Sequence, residues 1–460
     1  MVLNSVKRSG NSRRSIWPLV WLILLLVIVG GIVLTAKLFE LEAPQISLAA
    51  NVHLLGKKGD ITLTFADAKS GIRDLDVSLR QGKNVVRLLR RQFSRASLLA
   101  KGPLKISEKV DINTADLGLV DGRADLIVTA HDFSAWHWGK GNETLASYPL
   151  IFDIKPPKLR LVDGPGSIKP GSSAIIIYRA NEELVRYGVT INGYFYPGFP
   201  VTARGEGTYG AMIALPYDTK TIKEAVISGY DLAGNAARVP FRLVVRLVPK
   251  RQDRINISDK FLQWKMPQFV QYYPEMKAFN GDLLKEFLFV NNEVRTRNAK
   301  KIRAICLHSS PERMWRGRFG RMRRSARRAS YADYRSYYYH GRVVDHQVHL
   351  GVDLASIRHA RVEAANNGRV IYADYLGIYG NVVILDHGQG VSSLYAHLSQ
   401  FKVAVGDVVK KGDLLAITGT TGMAGGDHLH FSILVNGVFV NPLEWWDSGW
   451  LHFNIEQYLK

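Results

Sequence analysis

The chain has 460 residues, of which 47% are hydrophobic, and its 61 Lys and Arg against 40 Asp and Glu give a formal charge of +21. That length holds about three domains, each with enough core to fold alone. The charge implies an acidic partner, for which nucleic acid, anionic lipid and anionic envelope polymer are the classes to weigh, and the single cysteine, Cys306, excludes an internal disulfide.

Residues 16–36 form an almost unbroken apolar run, long enough to cross a bilayer core of about 30 Å as a helix. Lys7, Arg8, Arg13 and Arg14 precede it, and Lys37, Glu40 and Glu42 follow. The positive-inside rule therefore places residues 1–15 in the cytoplasm and exports the rest, periplasmic or extracellular. A cleaved signal peptide has an apolar region of roughly 7–15 residues and a small-x-small site. The longer run here favours an uncleaved single-pass anchor in the inner (cytoplasmic) membrane, with Trp17 and Trp21 near its cytoplasmic interface. This topology argues against nucleic acid. It also makes Cys306 a buried small hydrophobe, with an intermolecular disulfide as the alternative.

From 43 to 247 the pattern is short strands between turns. Ile61, Leu63 and Phe65 alternate, as do Leu75, Val77 and Leu79, then Ile175 and Ile177, then Val189 and Ile191. A weak internal repeat aligns Ile61-Thr-Leu-Thr-Phe-Ala-Asp67 with Ile175-Ile-Ile-Tyr-Arg-Ala-Asn181, and the aspartate turn after Leu126–Ala130 with that after Val226–Tyr230. The Asp231-Leu-Ala-Gly-Asn235 turn resembles bacterial immunoglobulin-like domains. The expected architecture is mainly β, with two β-sandwich units, 43–155 and 156–247, divided near Lys155-Pro156-Pro157. No catalytic constellation appears here, so the units read as a spacer or as a surface for the wall or a partner.

Residues 248–339 are expected to form a helical and Arg-rich linker. Leu283, Leu284, Phe287, Val290 and Val294 have helical spacing behind Asp282, which predicts a helix over 282–298 with an aspartate cap. Eight arginines follow between Arg313 and Arg328, with Trp315 and Phe319 among them. Such a run reads as a solvated face, as a contact for anionic polymer or the outer membrane surface, or as a cover over a neighbouring groove.

Residues 340–450 carry the chemistry. Short strands around Val370–Tyr372, Val382–Leu385, Leu394–Tyr395, Leu414–Ile417 and Leu429–Val435 are punctuated by glycines, which predicts an antiparallel β domain with its site in a groove between loops. His428 and His430 share one strand face, with Leu429, Phe431 and Ile433 on the other. Upstream, His349 and Asp353 share a face if 349–353 is one strand, with Gly351 between them leaving room for an ion; His346 has the opposite parity. His397 ends the apolar run from Val391. Two histidines and a carboxylate, with histidines left over for acid/base work, match the ligand count of a catalytic zinc site with an open position. The competing reading is a set of buried, hydrogen-bonded histidines. Asp386-His387-Gly388 reads as a turn with a structural histidine. The Gly419–Gly426 segment lacks the Lys-Ser/Thr of a phosphate loop and reads as a groove wall.

His349-x-x-x-Asp353, Tyr395-Ala-His397-Leu398 and His428-x-His430 together resemble the three motifs of the lysostaphin/LytM-type zinc metallopeptidases, peptidase family M23, which cleave peptidoglycan cross-links. The resemblance covers roughly 340–446. Ser356-Ile-Arg-His-Ala-Arg-Val362 departs from the Gly-x-Pro-Val turn usual there. The resemblance implies that His349, Asp353 and His430 bind zinc, and that His397 and His428 flank the attacking water and the scissile carbonyl, their division of labour left open. It implies peptidoglycan as substrate, through a glycine bridge or, as a periplasmic setting favours, a D-alanyl cross-link. Division or elongation proteins are candidate partners. Two other roles remain: a non-catalytic activator or scaffold for other wall hydrolases, as in relatives that have lost metal residues, and an envelope adhesin built on the β units.

Overall fold

The computed structural model describes residues 16–49 and 54–460. The expected cytoplasmic segment 1–15, with its four basic residues, lies outside the described residues. The chain forms two compact units: one runs to Lys155 and includes Ala233–Asn235, and the other holds the remainder to Lys460.

In the first unit, Trp17–Leu38 is one helix, apolar up to Lys37 in its last turn and with no buried residue, long enough to cross a membrane. The strands beyond it form a three-stranded sheet and a five-stranded sheet. Alternation decides which side chains meet. Ile61, Leu63 and Phe65 of the strand Lys58–Ala66 face Leu75, Val77 and Leu79 of Ile72–Gln81 and Leu126, Val128 and Ala130 of Gly122–Asp132 in one core, each at most 1% exposed.

The second unit begins with a seven-stranded sheet that includes Ser173–Ala180 and Arg186–Ile191. This sheet shares a hydrophobic core with the C-terminal β domain, and Asn436 Nδ2 donates to Met212 O at 3.2 Å. In the chain between them comes a helical segment whose buried side chains pack on the C-terminal domain in a second core. Asp282 caps Leu283–Phe289 by accepting from Lys285 N, as its sequence predicts, but the helical path continues through a π-turn at Val290–Val294 and through Arg295–Cys306. A further helix, Asp259–Val270, is capped by Ser258.

The C-terminal domain is built on a large antiparallel sheet running Ala326–Ala329, Val352–Ala355, Leu429–Val435, Val391–Phe401, Asn381–Gly388, Gly368–Tyr375, Val408–Val409. Beside it, Arg251–Ile257, Asp333–Tyr339 and Arg342–His349 form a three-stranded sheet. The arginine run is not a free face along its whole length. Trp315 and Phe319 are buried, their rings 5.6 and 5.2 Å from Trp445, and Ala326–Ala329 pairs with Val352–Ala355.

Candidate functional site

Residues 349–353 are not one strand. The chain leaves the small sheet at His349, bends at Leu350-Gly351 and enters the large sheet at Val352. Asp353 then lies directly across from His430, and His430 across from Ala396, so two neighbouring strands bring the motifs together. A Cβ on Gly351 would meet His430 Nε2 at 2.5 Å and Ser432 Oγ at 2.6 Å. The glycine thus admits an imidazole and its partner rather than an ion.

His349 Nε2, His430 Nδ1 and Asp353 Oδ1 are each 3.0 Å from the other two. The remaining nitrogens are committed: His349 Nδ1 bonds the carbonyl of Ser330 at 2.9 Å, so it carries the proton. His430 Nε2 is 3.1 Å from Ser432 Oγ, whose own hydroxyl donates to Leu350 O at 2.9 Å, so this nitrogen too is the donor. Three lone pairs therefore converge with no proton between them. A cation resolves that repulsion, and ligand atoms about 2.0–2.2 Å from an ion stand close to this spacing in a tetrahedral arrangement. These three residues could hold a metal.

His397 sits in a bulge, where Asn381 pairs with Leu398 and Val383 with Tyr395, and its φ of 62° turns the ring out of the strand's alternation. Its Nδ1 bonds Thr421 O at 2.8 Å, leaving Nε2 free. Thr421 is fixed by bonds from its Oγ1 to Leu398 O and from Asn381 N, and Gly380 permits the approach because a Cβ there would meet Thr421 Oγ1 at 2.3 Å. His428 Nδ1 bonds Gly426 O at 2.8 Å and Nε2 lies 3.5 Å from Asp353 Oδ1. The His397 and His428 rings are 4.8 Å apart. All five predicted residues line one cavity of about 320 Å³, with Met423 and Gly425 of the glycine-rich loop on its wall.

Burial opposes ionisation of Asp353, but His349, His428 and His430 outweigh it and hold its carboxyl well below the usual range. Burial pushes His430 down to about 4 and His397 well below the ordinary imidazole value. His428 is raised, because the bond and charge of Asp353 overcome burial. His387, in the strand rather than a turn, is outside the site: buried, lowered to about 4, and bonded to Asn367 O and Ser393 Oγ. His346 faces Ser336.

Sequence reasoning missed several residues. Arg335 bridges Asp353 Oδ2 at 3.4 Å and Asp253 at 3.3 Å, and nothing in its tyrosine-rich surroundings distinguishes it. Tyr379 packs its ring 5.4 Å from His430 and is raised to about 12 by burial. Ser432 was within reach, since it follows His430 by two on the same strand face.

Residues 347–442 match the model of peptidase family M23. DD-carboxypeptidase/endopeptidase Mpg of Neisseria meningitidis is 39% identical over 97 residues, 21% of this chain and 22% of that protein. Murein hydrolase activator EnvC of Escherichia coli is 39% identical over 95 residues, 21% of this chain and 23% of its own. Lipoprotein NlpD of Yersinia enterocolitica is 39% identical over 94 residues, 20% of this chain and 96% of that sequence. The chain belongs to peptidase family M23. The M23 domain is the shared part: the chain spans about a fifth of the length of the Neisseria and Escherichia relatives. Membership makes this a chain of a peptidoglycan hydrolase family whose relatives include both an endopeptidase and an activator.

Proposed function

We propose that this M23 chain is a zinc-dependent endopeptidase that hydrolyses peptide cross-links of peptidoglycan. Its apolar helix anchors it in the inner membrane, and its peptidase domain lies outside the cytoplasm. The observation that carries this reading is the convergence of three proton-free lone pairs from His349, Asp353 and His430, beside two further histidines. A zinc ion held there supplies Lewis acidity toward a peptide carbonyl and acidifies water.

The chain's own groups do the rest. His397 and His428 each commit Nδ1–H to a backbone carbonyl, so Nε2 is the working nitrogen of both. In the neutral state Nε2 accepts a proton from the attacking water; once protonated it hydrogen-bonds the oxyanion or returns the proton to the leaving amine. Arg335 restrains the second oxygen of Asp353. Tyr379 and Leu350 line the same cavity and limit water around the reacting groups.

The likeness to EnvC supports a second reading, a domain that stimulates another wall hydrolase. Incubating the full chain with purified sacculi and identifying the released muropeptides tests both. Cross-linked dimers converted to monomers by the wild type and not by His397→Ala support the peptidase. A zinc-loaded chain that releases nothing alone, yet accelerates a second hydrolase, establishes the activator.

A further inference from the structure

We infer that the first unit holds a second metal site, for a hard divalent cation of the calcium class, formed by Glu40, Asp67 and Asp132 where the apolar helix meets the β strands. One carboxylate oxygen from each residue lies within 4.8 Å of the other two, and the side chains are buried, at 4%, 5% and 0% exposure. Among the described residues none of the three is ion-paired with a Lys, Arg or His.

Local hydrogen bonds hold these carboxylates in place. Asp67 Oδ1 accepts from the backbone N–H groups of Lys69 at 3.1 Å and Gly71 at 2.6 Å. Asp132 Oδ1 accepts from Ser134 N at 3.0 Å and Asn142 N at 2.7 Å, while its Oδ2 accepts from Asn142 Nδ2 at 2.8 Å. Glu40 Oε2 accepts from Ser70 N at 2.9 Å. Glu40 Oε1 is buried and has no hydrogen-bond partner. A buried carboxylate oxygen without a donor is costly, and two neighbouring carboxylates add repulsion. Burial and the charges of Asp67 and Asp132 accordingly push Glu40 upward, against the opposing bond from Ser70.

An all-oxygen set rich in carboxylates suits calcium, which accepts flexible geometry, better than a soft metal that seeks nitrogen or sulfur. The site also has a structural consequence. Ala135 N donates to Leu38 O at 2.7 Å at the end of the helix, and Ser134 and Asn142 hold the backbone oxygen of Glu40. A cation joining Glu40 to Asp67 and Asp132 would fasten the helix exit to the residue just past Lys58–Ala66 and to the end of Gly122–Asp132, strands of different sheets. The M23 site begins at His349, 217 residues beyond Asp132, and shares no group with this one.

Equilibrium dialysis of the full chain in detergent, at about 1 mM calcium, the range of extracellular modules, tests the inference. Glu40→Gln and Asp67→Asn, each checked for folding by circular dichroism, should bind one calcium fewer per chain than wild type. Calcium should raise the Tm of the wild type and not that of the variants, while zinc content stays unchanged. Wild type that binds no calcium, or folded variants that bind as much as wild type, would overturn the site.

Discussion

The Nδ1–H of His349 donates to the carbonyl of Ser330 at 2.9 Å, and this one bond decides that Nε2 faces Asp353 and His430. Ser432 imposes the same choice on His430. Partners of this kind fix the tautomer and orientation of a ligating imidazole. Ser432→Ala is therefore expected to weaken zinc affinity by roughly 10–100-fold, measured by competition with a chromophoric chelator. Unchanged affinity would mean that Ser432 does not orient the ring.

Ligands and acid/base groups separate by a second comparison. His430→Ala and Asp353→Ala should lose zinc and muropeptide release together. His397→Ala, whose ring lies 5.8 Å from that of His430, should keep zinc and lose turnover by at least about 100-fold, the usual scale of an acid/base contribution. Equal zinc loss in all three would show that His397 belongs to the metal set.

Gly351→Ala should behave as a site mutation although it carries no functional atom. Its Cβ would approach His430 Nε2 and Ser432 Oγ to 2.5 and 2.6 Å, so one of them must move. Overpacking of this sort costs about 1–3 kcal/mol. Reduced zinc content together with a lower Tm is expected, and a variant with wild-type zinc and Tm would refute the close approach.

Motif order in the sequence picked out five candidate residues that line one cavity, and strand parity accounts only for His428 and His430 among them; the backbone that gathers the others was not legible. His349 and Asp353 share a site through a bend at Gly351 rather than through one strand, and His397 arrives through a left-handed bulge that no periodicity announces. The helix from Leu283 extends to Cys306 because Val294, Asn298, Ile302 and Cys306 form its buried stripe, and the polar Asn298 interrupts the apolar pattern while its Oδ1 accepts from Ile378 N. Pro267 lies inside Asp259–Val270 and obscures that helix, since proline ordinarily ends one. Cys306 is buried, as the sequence suggests, and its thiol is pushed up to about 12.

Glu444 supplies a pH dependence remote from the metal. Burial raises it from 4.5 to about 7, against the opposing bond from Ser172 Oγ at 2.7 Å and the charge of Lys169. Because the folded state favours the neutral acid, the stabilisation is complete below the unfolded value and is lost as pH rises through about 7. Wild-type Tm should thus fall more between about pH 5 and pH 8 than that of Glu444→Gln, with the variant the more stable at the higher pH. Parallel Tm profiles would count against a buried neutral acid.

The arginine run lies away from the catalytic cavity, none of whose lining residues comes from 313–328. Instead Arg321, Arg323 and Arg324 line a separate cavity of about 620 Å³ with Arg361 and Lys411, opposed by Glu363 alone. Trp315 and Phe319, buried against Trp445, tether the run, so its charges have fixed positions rather than the averaged field of a mobile tail. A fixed basic surface on the same domain raises the encounter rate with an anionic polymer, and salt screens it beyond about 8 Å. Replacing Arg321, Arg323, Arg324, Arg327 and Arg328 with Gln should lower binding to sacculi and flatten its salt dependence. Zinc content and hydrolysis of a small soluble muropeptide should not change, because the ligands are untouched and steering matters little for a small substrate. A rise in soluble-substrate activity would instead identify the run as an inhibitory cover, and unchanged binding with an unchanged salt slope would leave it a solvated face.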